Sequence, residues 1–142
     1  MDELESAERE FKKALKFNRK LPEAYNGLGL CFFQRKRAKQ WAIENFKKAI
    51  RLDPKYVEAR FNLGLTYFDL ELDKEAFGQF EKVVQLDPQH PKAYFYLGMI
   101  DKRNTFLHRV ILDPKRAERA IEAFSKHIEI SPQDFQAYLE AA

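Results

Sequence analysis

A single cysteine, Cys31, excludes a disulfide framework within the chain and any cysteine-rich metal site. Glycine is scarce as well. Of five glycines in 142 residues, those at 29, 64 and 98 each follow a leucine inside an apolar stretch, so no phosphate-cradling glycine loop is present. No run approaches the roughly 18 consecutive apolar residues of a membrane span. The opening MDELESAERE lacks the basic-then-apolar order of a secretory signal, which makes the cytoplasm the favoured compartment. Charge of one sign is also missing. Lys and Arg total 25 against 22 acids, a net charge of +3, short of the basic excess of a nucleic-acid-binding domain. What is plentiful is apolar and aromatic surface, 45% and 14% of residues with 13 phenylalanines, and this excludes intrinsic disorder. The length suits one soluble domain.

Four markers recur in one register. Leu-Gly pairs at 28–29, 63–64 and 97–98 lie 35 and 34 residues apart. An alanine followed four residues later by phenylalanine recurs as Ala7/Phe11, Ala42/Phe46, Ala76/Phe80 and Ala120/Phe124. Pro54, Pro88 and Pro132 follow the last three of these pairs at a fixed offset, and Ala24, Ala59, Ala93 and Ala137 share the same spacing. Such periodicity is the signature of a repeat architecture. Within a unit, Tyr25, Leu28, Gly29 and Phe32 occupy one helical face, and Ala42, Phe46, Ala49 and Leu52 form a second stripe. Small residues at matching heights let the two helices approach closely in antiparallel fashion. Asp53-Pro54 and Asp87-Pro88 end the unit, because a residue before proline avoids the helical region. The spacing predicts helices near 2–18, 22–35, 39–52, 56–70, 73–86, 91–108, 114–130 and 134–141.

The pattern Tyr/Arg-x-x-Leu-Gly-x-x-aromatic, then Ala-x-x-x-Phe, then Pro resembles the tetratricopeptide repeat, whose period is 34 residues. The resemblance implies an all-α, right-handed solenoid of antiparallel helix pairs. A single domain over 1–142 is expected: a half repeat at 2–21, repeats at 22–56, 57–90 and 91–134, and the start of a further first helix at 135–142. The third repeat carries ten extra residues, an insertion near 101–112. Three departures stand out. Arg60 replaces the usual aromatic, Asp101 falls where Phe32 and Tyr67 fall, and His127 stands where Ala49 and Val83 stand; looser packing is expected near Asp101. Ends out of phase by half a repeat are expected of a segment of a longer protein, the simplest account, or of a small domain whose half repeats act as caps.

No catalytic constellation is visible. His90, His108 and His127 have no metal-ligand spacing, and Ser125 and His127, two apart on a helix, do not face each other. Cys31, between Leu30 and Phe32, reads as a buried inert thiol. A non-enzyme with no cofactor is expected.

The resemblance instead implies a protein-interaction scaffold whose first helices line a concave groove for a peptide or amphipathic helix. By register the groove takes Asn26, Leu30 and Phe33 from the first repeat and Phe61, Asn62, Leu65 and Phe68 from the second. The third supplies Lys92, Phe95, Tyr96 and Met99. One subtype of the family clamps chaperone-tail carboxylates with two lysines, two asparagines and an arginine. Only Asn62 and Lys92 match it, so a chaperone tail is disfavoured. Phe61 and Phe95 either pack against adjacent first helices or line an apolar groove; the spacing leaves both open. The insertion either folds back over its own hairpin or makes a contact with a partner or a second copy.

Two further functions remain open: self-assembly through the end helices or the insertion, and the non-catalytic targeting arm of a larger enzyme. Charge is uneven, with net +6 over 1–52, −4 over 53–90 and +1 over 91–142. Lysine-rich runs of this kind are usually solvated faces, and nucleic acid is the least favoured partner. Trp41, at the edge of one such run, is expected to be exposed.

Overall fold

The computed structural model describes residues 2–107 and 114–131. Among these residues there are seven α-helices and no strand: α1 (Glu3–Phe17), α2 (Pro22–Phe33), α3 (Lys39–Leu52), α4 (Val57–Asp69), α5 (Asp73–Leu86), α6 (Pro91–Leu107) and α7 (Pro114–Ile130). The fold class is the all-α repeat solenoid expected from the periodicity, and the helix ends agree with the expected ones to within two residues. The expected helix at 134–141 and residues 108–112 of the insertion lie outside the described residues. The first part of the insertion continues α6, which reaches 17 residues where α2 has 12.

The chain divides into two compact units, one ending at Leu72 and one beginning at Asp73. In the first, α2 packs on both α1 and α3, and α3 packs on α4. Ala42, Phe46 and Ala49 on α3 are wholly buried. The contact that locks α2 to α3 is steric: a Cβ at Gly29 would enter the Phe46 ring, so only glycine lets the backbone come this close. Gly27 serves α1 in the same way, lying against the Phe11 ring. Arg35 at the end of α2 reaches Glu8 near the start of α1 at 2.7 Å, as antiparallel neighbours require. The Cys31 thiol is buried, and burial pushes its pKa up, away from the reactive thiolate.

In the second unit, α6 packs on α5 and on α7. Ala93, Ile100, Phe124 and His127 are buried there, and Gly98 gives Phe124 the space that Gly29 gives Phe46. The departures from the repeat acquire specific partners. The buried His127 ring bonds through Nδ1 to the carbonyl oxygen of Pro91. Asp101 is buried with Arg119 Nη2 3.4 Å away. In the first unit, Arg60 donates from Nε to the Pro54 carbonyl oxygen at 2.9 Å.

The joints between pairs are built alike. Asn18, Asp53 and Asp87 each donate a backbone N–H to the helix just ended and accept, through the side chain, the N–H two residues on. This is the Asx-turn chemistry that makes Asp-Pro a stop signal.

Candidate functional site

The candidate site is built on the first helix of each pair. On α2, the i, i+4, i+7 positions Asn26, Leu30 and Phe33 share a stripe distinct from the Ala24, Leu28 and Cys31 set that enters the core. Leu30 and Phe33 are half-buried. On α4, Phe61, Leu65 and Phe68 are likewise half-buried, whereas Ala59, Leu63, Thr66 and Tyr67 are buried. Both helices thus carry half-buried apolar side chains beside their buried ones.

A polar ladder holds α2 beside α4. Asn62 Nδ2 donates to Asn26 Oδ1 at 3.0 Å, and Asn26 Nδ2 donates to Glu58 Oε1 at 3.2 Å. The Tyr56 side chain also hydrogen-bonds Asn26, and burial, with Glu58 and Glu23 nearby, pushes the phenol's pKa up. Asn26 and Asn62 are only 3% and 9% exposed. By register both fall on the expected groove face, and the structure brings them together as a buried bridge between the two helices. Buried amides need such partners, and each supplies the other's.

At the far end of the same face, a residue not assigned to the site closes it. Lys39, at the start of α3, sits with Nζ 3.5 Å above the Phe33 ring and 2.8 Å from Asp69 Oδ2. A lysine in a basic run gives no sequence signal for this role, because the contact depends on where α4 ends. Trp41 is exposed, as expected, at 6.3 Å from the Phe32 ring.

In the second unit, Lys92 is exposed and Phe95, Tyr96 and Met99 are half-buried. The two aromatics diverge. Tyr96 stacks on Phe80 of α5 at 5.2 Å, and Phe95 meets Phe124 and His127 of α7 at 6.0 and 5.4 Å. Among the described residues no group of three or more His, Cys, Asp or Glu is placed to hold a metal ion, and no helix is long and apolar enough to cross a membrane.

Sequence models of the TPR repeat and of the tetratricopeptide repeat match residues 41–71 and 57–90. The chain thus carries tetratricopeptide repeats over residues 41–90, a repeat type that builds protein-interaction scaffolds. Among solved structures it is similar to the crystal structure of MamA, with 27% identity and a TM-score of 0.81 over 97% of this chain and 74% of that one. MamA 41-end from Desulfovibrio magneticus RS-1 shows 23% identity and the same TM-score over 97% of this chain and 72% of that one. The first TPR of Spaghetti (RPAP3), bound to the HSP90 peptide SRMEEVD, shares the fold with 22% identity and a TM-score of 0.73, over 84% of this chain and 86% of that one. No curated protein matches the sequence.

Proposed function

We propose that this scaffold takes up a peptide or amphipathic helix of a partner protein along the apolar faces of α2 and α4, binding its partner without transforming it. The observation that carries the reading is the half-buried row Leu30, Phe33, Leu65 and Phe68 on the faces of α2 and α4. Helix-in-groove recognition uses such rows of aliphatic and aromatic anchors. The Asn26–Asn62 ladder keeps the two helices in register, so the row is preorganised and little ordering is lost on binding. Lys92, Phe95, Tyr96 and Met99 are proposed as a peptide contact of α6 within the second unit, and the repeat boundaries at 22–56, 57–90 and 91–134 belong to the same proposal. A chaperone tail is disfavoured, and with it a ligand like the HSP90 peptide SRMEEVD bound by the RPAP3 domain. Of the two positions that match the carboxylate clamp, Asn62 already donates its amide to Asn26.

Peptides selected by display against the wild-type chain provide the test. Leu30→Asp with Leu65→Asp should weaken them by about tenfold or more, the loss of one or two anchors, with helical circular dichroism unchanged. Met99→Glu asks the same of α6. Undiminished binding by the folded double variant would remove the α2–α4 face from the reading.

Self-association is a second reading, favoured by α1. Its Ala7, Phe11 and Ala14 are only half-buried where their counterparts Ala42, Phe46 and Ala49 are wholly buried, and Phe17 is 83% exposed.

A further inference from the structure

We infer that the second unit carries a separate binding groove, on the side of α6 away from Phe95 and Met99, that takes a basic amphipathic peptide segment of a partner protein. Three helical stripes converge there: Phe77, Glu81 and Val84 of α5, Tyr94, Leu97 and Asp101 of α6, and the Arg119-to-Glu129 face of α7. They enclose an open groove of about 580 Å³, within the range of ligand sites.

The groove arises from a departure in the repeat. Asp101 occupies the register position at which Phe32 and Tyr67 place aromatic rings. A carboxylate is far smaller than a ring, so the substitution leaves a hollow beside α7. Asp101 is 5% exposed, with its Oδ1 3.4 Å from Arg119 Nη2. Arg119 itself is half in solvent, with 53% of its side chain exposed.

The walls favour a cationic partner. Glu81, Glu122 and Glu129 join Asp101 against Arg119 and Lys126, so acids outnumber bases around a floor of Phe77, Val84 and Leu97. That combination suits lysine or arginine side chains whose stems lie on apolar surface while their charged heads reach the carboxylates. The charges run along α7 from residue 119 to 129, about 15 Å at 1.5 Å per residue. That span matches several residues of a peptide and exceeds one small cation. This groove is independent of the α2–α4 face, so either can fail alone.

The test uses the full chain and a short fluorescein-labelled peptide with arginines and leucines on opposite helical faces, followed by anisotropy. The wild type should bind it, and a version with glutamate for arginine should bind at least about tenfold more weakly, a difference of about 1.4 kcal/mol. Asp101→Phe restores the ring of the other repeats and fills the hollow. Its melting temperature should hold or rise while affinity falls by about tenfold or more. Glu122→Lys should weaken binding similarly without touching the hollow, and decides alone should Asp101→Phe fail to fold. Leu30→Asp with Leu65→Asp should leave this binding unchanged. No binding by the wild type, equal binding of both peptides, or affinity untouched by Glu122→Lys would overturn the inference. Displacement of the peptide by an equal concentration of spermidine would overturn the peptide as its occupant.

Discussion

At Gly29, the absence of a single carbon decides whether two helices can pack. A Cβ there would lie closer than 3.0 Å to three atoms of the Phe46 ring, which is itself wholly buried and has nowhere to move. Gly29→Ala should therefore cost about 1–3 kcal/mol, the usual penalty for overpacking a tight core. Gly78 makes the opposite case. It lies on the exposed side of α5, and a Cβ there would meet nothing within 4 Å. Gly78→Ala should stabilise the chain by about 0.5–1 kcal/mol through helix propensity. Urea unfolding of the two variants checks both signs; a stabilised Gly29→Ala would show that sterics do not govern that position. The Leu-Gly repeat was legible as a close approach, yet which ring fills the space depends on tertiary packing. Gly27 gave no repeat signal at all, although it lies against Phe11.

Element by element, the helix ends are where sequence and structure agree most closely, because they are set by local chemistry. Asn18, Asp53 and Asp87 close their helices through their own side chains. The start of α6 adds a pH-dependent cap. The Ala93 N–H donates to His90 Nδ1 at 3.2 Å, so that nitrogen must be unprotonated for the cap to exist. Burial lowers the His90 pKa below its ordinary 6.5, with Lys92 acting in the same direction and Asp87 opposing. A depressed histidine pKa means that the unfolded chain takes up the proton first. Stability is thus complete above about pH 6.5 and falls as pH drops from there through the lower folded value. His90→Asn keeps a capping acceptor and removes the titration. Its melting temperature should lose less than that of the wild type between pH 7 and 5, as read by calorimetry. Equal losses would place the acid sensitivity elsewhere. The asparagines show the reverse of the turns. Their helical face was legible, but their partners lie 32 and 36 residues away, so no local pattern could reveal that Asn26 and Asn62 bridge two helices.

For the whole molecule, the charge pattern and the uncovered side of α1 raise the question of copies. Heterologous contacts between unlike surfaces propagate when rotation does not close. Light scattering after size exclusion, across a wide range of loading concentrations, should give a constant 16.8 kDa if the chain stays monomeric. A mass that climbs with concentration would support self-association, and Phe17→Ser should then lower it.

The periodicity by itself determined the helices, their order and their ends, because a one-sided apolar face at a 34-residue period has few ways to be buried. The small residues at 29 and 98 and the Asx turns follow from the same local rules. Only the tertiary structure decided what lies beside what. It joined Asn26 to Asn62, set Lys39 over Phe33, turned Phe95 towards α7, and made the Asp101 departure the base of a groove. Those outcomes depend on distances between helices far apart in the chain. Helical spacing shows which residues share a face, but it carries no record of the neighbour that face will meet.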